Sequence, residues 1–366
     1  MTTVTRPVVL WIDESDAHAE ELGGKVNSLA ELTAAGFDVP PAFGVTISAF
    51  ARFAQEAGLP EQVAGIQASL DLDDHAMVAD ASARIAAMIA EAPMPADIDE
   101  AIRAAYGRLG DRAGSGRASV AVRSSGANED LAGASFAGQY DTYLWITGAD
   151  DVIAHVRRCW ASLFNPEVLT YRPSGTDGLA SSAETFPAMC VGVQLMVPAR
   201  SAGVMFTLDP VSGDRSKIVI ESCWGLGEGV VKGEVTPDLH RVDKISFEIR
   251  DREVGEQREE YRFDEATGVV DRFPITDGRV AEPSVTEAEV LALADLGKRI
   301  ERHRGAPQDL EWAIDHDGSL HLLQARPETV WAARAAARAA ERPAEAPTAT
   351  RRVISAFLDA GKKGGA

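Results

Sequence analysis

Apolar and polar positions fall along the chain in blocks that predict a mixed α+β protein. Val8-Val9-Leu10-Trp11-Ile12 is a short apolar run of strand type. Leu22-Gly23-Gly24-Lys25 then leads into Val26, Leu29 and Leu32 at helical spacing, with Gly36 as the stop, so a Gly-rich turn opens a helix. From about Ser48 to Leu109 the chain is mostly Ala, Leu, Ile and Glu at helical spacing, and Leu59-Pro60 and Pro93-Met94-Pro95 divide it into several helices. Ser119 to Arg123 reads as a buried strand that ends in Ser124-Ser125-Gly126. Asp150 is placed to cap a helix whose Val152, Ile153, Val156, Cys159, Trp160 and Leu163 share one face.

Residues 173–186, PSGTDGLASSAETF, have turn composition and little to bury, which predicts a lobe boundary there. The expected organisation is therefore an N-terminal lobe over 1–186, a C-terminal lobe over 187–332, and a terminal helix with a flexible tail over 333–366. Cys190 to Val197, Gly203 to Thr207 and Ile218 to Glu221 are short β-type runs separated by turns, which predicts an antiparallel meander with more strands through Phe273. Thr286 with Glu289 three residues on forms a capping box for a helix that Gly305-Ala306-Pro307 ends.

Composition narrows the picture. The 366 residues exceed one ordinary domain, and 45% hydrophobic with 25% charged residues is ordinary for a folded globular protein. Thirty-six basic against 56 acidic residues give a net charge of −20, which repels nucleic-acid backbones and anionic lipid. No apolar run approaches the roughly 20 residues that span a bilayer, and the N-terminus lacks a signal-peptide pattern, so a cytoplasmic protein is expected. Cys159, Cys190 and Cys223 lie far apart in apolar stretches, the spacing of buried thiols rather than of a disulfide or zinc framework.

The chemistry concentrates in Asp309 to Arg326, which reads as a hairpin turning at Asp317-Gly318. With a two-residue turn, His316 faces Ser319, Ile314 faces His321, Glu311 faces Gln324 and Asp309 faces Arg326. Alternation along the strands then puts Asp309, Glu311, Gln324 and Arg326 on one face, opposite Cβ atoms about 5 Å apart. A carboxylate and an amide oxygen suit Mg²⁺, which shares few protein ligands with substrate phosphates, and a guanidinium binds phosphate in bidentate fashion. A surface hairpin with a cross-strand salt bridge is the plainer alternative. Lys25 at a helix start is a second anion site, and Arg123, a guanidinium at the end of an apolar strand, requires an anionic partner or a solvent path. Gly225-Leu226-Gly227-Glu228-Gly229 misses the dinucleotide fingerprint and reads as chain reversal. The seven histidines are scattered without metal spacing, and no G-x-S-x-G elbow supports acyl chemistry.

These residues sit in longer motifs: Gly23-Gly24-Lys25 with Val39-Pro40-Pro41-Ala42-Phe43, AVRSSGANEDLAGASFAGQYDTYL from Ala121, RRCWASLFNPEVLTYR from Arg157, VQLMVPARSAGVMFTLDPVSGD from Val193, ESCWGLGEGVVKGEVTPD from Glu221 and QDLEWAIDHDGSLHLLQARPET from Gln308. In this order they resemble the ATP-grasp nucleotide-binding portion of the phosphoenolpyruvate synthase, pyruvate phosphate dikinase and rifampicin phosphotransferase family. The resemblance implies an α+β ATP-grasp fold with two lobes enclosing a nucleotide cleft, and ATP and Mg²⁺ as cofactors. By it, Lys25, Arg123 and Arg326 hold phosphates. The loop from Gly133 to Gly138, with Gln139 and Thr142, covers them. Glu311 and Gln324 hold magnesium beside Asp309, and the strand Gln194-Leu195-Met196-Val197 receives the adenine.

The family's swivelling histidine domain and acceptor domain are not found in this sequence, and about 35 residues follow the Gln-Ala-Arg-Pro motif. The phosphoryl-carrying histidine is therefore expected on a partner polypeptide, or the chain is a truncated form. A module of this size resembles the small subunit of phenylphosphate synthase, which implies a phenolic acceptor bound by that partner. Pyruvate or an antibiotic as acceptor, an ATP sensor without turnover, and a carboxylate-activating ligase that releases ADP are the alternatives.

Overall fold

The computed structural model describes residues 6–14, 19–126, 142–170 and 186–331. Its residues up to Pro327 form one contiguous unit. Two antiparallel sheets organise it. The first is built from β1 (Val9–Trp11), β2 (Ala42–Val45), β3 (Ser119–Gly126), β4 (Thr142–Thr147) and β5 (Met189–Leu195), in the order β1-β2-β5-β3-β4. The second takes β6 (Ala199–Phe206), β7 (Lys217–Trp224), β8 (Asp238–Asp243) and β9 (Ile249–Glu253) as a meander, with β12 (Gln308–Asp315) and β13 (Leu320–Pro327) added beside β6. A separate two-stranded ribbon joins β10 (Glu259–Asp264) to β11 (Val269–Pro274).

The boundary between the sheets differs from the expected one. Met189–Leu195 was assigned to a second lobe beginning at 187, yet it pairs with β2 and β3 inside the first sheet. The chain crosses between sheets at Met196–Pro198, so Met196 and Val197 are connector rather than strand. A fully apolar run satisfies either sheet, and nothing in its residue types marks which one it joins. The expected terminal helix and tail over 333–366 lie outside the described residues, as does most of the loop over 173–186.

Helices α2 (Ile47–Glu56), α3 (Leu59–Ala68), α4 (His75–Glu91) and α5 (Ala96–Arg112) form the helical block predicted over Ser48–Leu109, and α6 (Ala149–Ala161) and α7 (Pro166–Thr170) join it beside the first sheet. Phe50 and Phe53 stack on Trp160 at ring centroid distances of 4.9 and 5.0 Å, and all three are fully buried. Gly148, not Asp150, occupies the cap position of α6, and Asp150 in the first turn instead pairs with Arg103 at 2.7 Å. Helix α1 (Gly23–Ala34) contributes Leu22, Val26 and Leu29 to a second core that also contains Leu310 and Trp312. That core is completed by α9 (Glu287–Arg304), which carries the predicted Thr286/Glu289 capping box and ends at Gly305 in the left-handed region, φ 72°. All three cysteines are buried, and burial holds the Cys223 thiol up at about 12.

His240 on β8 is 1% exposed, and its Nδ1 has no hydrogen-bond partner among the described residues. Burial penalises the imidazolium and pushes its pKa below the ordinary 6.5. A group with a depressed folded-state pKa binds fewer protons folded than unfolded, so its stabilisation is present above that ordinary value and is lost as pH falls through the folded one. Chemical denaturation from pH 7 to pH 5 should show stability falling in the wild type and a visibly flatter slope in His240→Gln; parallel slopes would contradict this assignment.

Candidate functional site

The hairpin β12–β13 places the predicted polar pairs opposite each other: Asp309 faces Arg326 and Glu311 faces Gln324. It does so through two departures that cancel. The loop contains three residues, His316, Asp317 and Gly318, with Asp315 N–H donating to the Ser319 carbonyl at 3.1 Å. Gly318 sits at φ 84°, the left-handed position that a three-residue hairpin loop requires. Ile314 therefore faces Leu320, not His321, and Trp312 faces Leu322. The register then shifts between Glu311 and Trp312, leaving Leu323 as an unpaired bulge residue and restoring the expected register at the polar pairs.

The bulge supplies an acceptor. Arg123, on β3 of the other sheet, donates to the Leu323 carbonyl at 2.9 Å, to Gln194 Oε1 at 3.4 Å and lies 3.4 Å from a Glu311 carboxylate oxygen. Arg123 is only 8% exposed as a residue, and Glu311 is its charge partner across the cleft. Because Arg has only donors, Gln194 must turn its Oε1 toward Arg123, which points its Nε2 donor elsewhere. That Nε2 and Arg123 Nε are buried without hydrogen-bond partners among the described residues.

Lys25 reaches the same place through α1. The helix has no side-chain cap of its own at Leu22, and Ser125 at the end of β3 substitutes for one. Its Oγ accepts from Val26 N–H at 3.0 Å and donates to the Leu22 carbonyl at 2.8 Å. Gly23 is required for this docking: it lies at φ 64°, and a Cβ there would come within 2.0 Å of the Ser125 carbonyl oxygen. The far side of α1 is tied to the hairpin, where Ser28 Oγ donates to the Ala325 carbonyl at 2.6 Å.

These elements enclose a cleft of about 540 Å³, within the range of small-molecule sites. Of the predicted residues, Lys25, Arg123, Thr142, Gln194, Leu195, Met196, Val197, Glu311, Gln324 and Arg326 line it. Lys25, Arg123, Glu311 and Arg326 contribute charged groups to this lining, and Val197, Ala202, Ala313 and Leu323 form a small apolar cluster on it. Gly133, Gly138 and Gln139 lie outside the described residues. Asp309, expected beside the metal, lies next to the lining and holds Arg326, accepting from Nε and Nη2 at 2.8 Å each. Among the described residues no three His, Cys, Asp or Glu side chains form a metal cage. Two facing oxygen donors, Glu311 and Gln324, fit an Mg²⁺ that draws its other ligands from phosphate and water.

Sequence reasoning missed one wall. The turn at Gly225–Gly227 and helix α8 (Glu228–Val231) bring Leu226, Gly227, Glu228, Val231 and Lys232 to the cleft. Glu228 and Lys232 pair at 2.7 Å, and this bond holds the ammonium above the ordinary lysine range. An acid and a base four residues apart directly after a glycine cluster were the available signal.

Residues 19–346 match the pyruvate phosphate dikinase AMP/ATP-binding domain, and the chain belongs to that family. It is 41% identical over 323 residues to a probable phosphoenolpyruvate synthase of Methanocaldococcus jannaschii, covering 88% of this chain and 26% of the relative. A prodigiosin synthesizing transferase of Serratia marcescens is 41% identical over 341 residues, 93% of this chain and 35% of that protein. A rifampicin phosphotransferase of a Streptomyces species is 38% identical over 325 residues, 88% of this chain and 36% of that protein. The chain thus spans about a third or less of the length of these relatives. The matched domain is described as AMP/ATP-binding, and no helix among the described residues is long and apolar enough to cross a membrane.

Asp309→Ala should leave Arg326 charged but unaimed. Calorimetric titration is expected to show roughly tenfold weaker binding of ATP, the scale of one charge-assisted hydrogen bond, with adenosine binding unchanged. An equal loss for adenosine would contradict an aiming role.

Proposed function

We propose that the two sheets are the lobes of an ATP-grasp fold and that the cleft binds Mg²⁺–ATP for a dikinase-type phosphoryl transfer. The observation that carries this reading is the convergence of Lys25, Arg123 and Arg326 with the Glu311/Gln324 pair in one cleft. Three cations offset part of the triphosphate charge, and an imposed geometry suits phosphoryl transfer, which needs positioning and charge neutralisation more than covalent help. Met196, Val197, Ala202 and Ala313 receive the adenine, with Gln194, Leu195 and the connector backbone at its edge. Thr142 joins the phosphate side, together with the loop that carries Gly133, Gly138 and Gln139. Mg²⁺ held by Glu311 and Gln324 would supply charge neutralisation at the phosphate oxygens.

The nucleophile in this reading is an imidazole nitrogen of a histidine-bearing partner subunit. It attacks the β-phosphorus, the bond to the AMP oxygen breaks, and hydrolysis of the resulting pyrophosphoryl group releases phosphate and leaves phosphohistidine. The cleft lining supports an external acceptor, since no histidine belongs to it among the described residues. Similarity to the small subunit of phenylphosphate synthase favours a phenolic hydroxyl as the final acceptor. The names of the relatives favour pyruvate or an antibiotic as a second reading. We place the protein in the cytoplasm, where ATP is abundant and buried thiols such as Cys190 and Cys223 stay reduced.

Incubation with ATP, Mg²⁺ and the histidine-bearing partner should yield AMP and phosphate. Glu311→Ala and Arg326→Ala should each lower partner phosphorylation at least about a hundredfold, the scale of losing a preorganised electrostatic contact. ADP as the sole nucleotide product would overturn the dikinase reading. Adding phenol, pyruvate and rifampicin in turn identifies the acceptor by which one becomes phosphorylated.

A further inference from the structure

The ribbon β10–β11 belongs to neither large sheet, yet it packs against α8 and β7 on one side and against β4 on the other, all elements that contribute to or flank the cleft. At one end Tyr261 is fixed firmly. Its carbonyl accepts from Leu226 N–H at 2.9 Å, its ring lies 5.3 Å from the Lys232 ammonium, and its hydroxyl donates to Glu234. A Cβ on Gly225 would fall 2.4 Å from the Tyr261 carbonyl oxygen, so this approach is backbone-tight. Two residues along the same face of the ribbon, Phe263 stacks on Trp145 of β4, with centroids 5.1 Å apart and planes 14° from parallel.

Trp145 is placed there by a distortion. The pairing of β3 with β4 shifts register between Val120 and Val122, and Trp145 adopts φ 61° in that bulge. Such a backbone conformation is a genuine outlier for a bulky side chain and persists only where its surroundings hold it. The same strand contributes Thr142 and Leu144 to the cleft lining, to which Leu226 and Lys232 also belong.

We propose that Trp145 and Phe263 are positioning residues, a clasp through which the ribbon holds the β4 wall against nucleotide bound in the cleft. The inference rests on the nucleotide reading above. An isolated two-stranded ribbon is marginally stable, so its anchors set its position. The Tyr261 side has backbone and side-chain anchors, whereas the ribbon meets β4 through the Trp145–Phe263 ring stack and the packing of β11 beside that strand. Parting of that stack lets the walls separate without disrupting either sheet.

The test uses the full chain, Mg²⁺ and the N-methylanthraniloyl derivative of ATP, with release followed by stopped-flow displacement and folding by thermal melting. Trp145→Gly removes the ring and relieves the backbone, Phe263→Ala removes the other ring without touching β4, and Phe263→Tyr keeps an aromatic face. Each of the first two should speed release about 3- to 10-fold, the range of an aromatic pair, with the double variant no faster than either single one. Phe263→Tyr should release at the wild-type rate, and Trp145→Gly should melt no lower than wild type. Unchanged release in both single variants, or multiplied effects in the double variant, would overturn the clasp while leaving the nucleotide reading intact. Failure of the wild-type chain to bind the derivative would overturn both.

Discussion

A buried guanidinium bridges the two sheets of this protein at the cleft. Arg123 extends from the first sheet, and its partners are Gln194 in its own sheet and Glu311 and Leu323 in the other. A charge this buried is tolerated only with partners, and stripping one from a buried pair costs about 3–5 kcal/mol. The separation of the sheets is thereby tied to the position of Glu311. The same contact fixes Gln194 and occupies the bulge carbonyl, so three parts of the cleft share one constraint.

Around that constraint the local structure converges from both sides. Ser125, two residues beyond Arg123, caps α1 and so sets Lys25 beside the end of β3. Asp309, two residues before Glu311, aims Arg326 from within the hairpin. The alternation of strands puts these pairs on a common side, which is why short motifs far apart in sequence become one site. A probable phosphoenolpyruvate synthase, a prodigiosin synthesizing transferase and a rifampicin phosphotransferase are 38% to 41% identical to this chain over most of its length.

Much of the site was legible because hairpin pairing and strand alternation are local rules. The pairs 309/326 and 311/324 followed from them, although the turn and bulge that produce them did not, since a three-residue loop and a compensating bulge leave the polar positions unchanged. The ownership of β5 was illegible: an apolar strand carries no mark of its sheet. The wall from Leu226 to Lys232 was read as a turn because its glycines match no phosphate fingerprint, and only its approach to Ala202 and Tyr261 gives it a place in the cleft. The helix-capping signals at Thr286 and Gly305 were reliable, whereas Asp150 lost the cap position to Gly148 and found Arg103 instead.

A crystal structure of the chain with Mg²⁺ and the β,γ-imido analogue of ATP decides whether the two sheets grip a metal-bound triphosphate between Arg123 and the hairpin. The expected result is a metal coordinated by Glu311 and Gln324, phosphate oxygens on Lys25, Arg123 and Arg326, and the base against Val197 and Ala313. Nucleotide bound outside this cleft, or a metal bound without either hairpin oxygen, would contradict it.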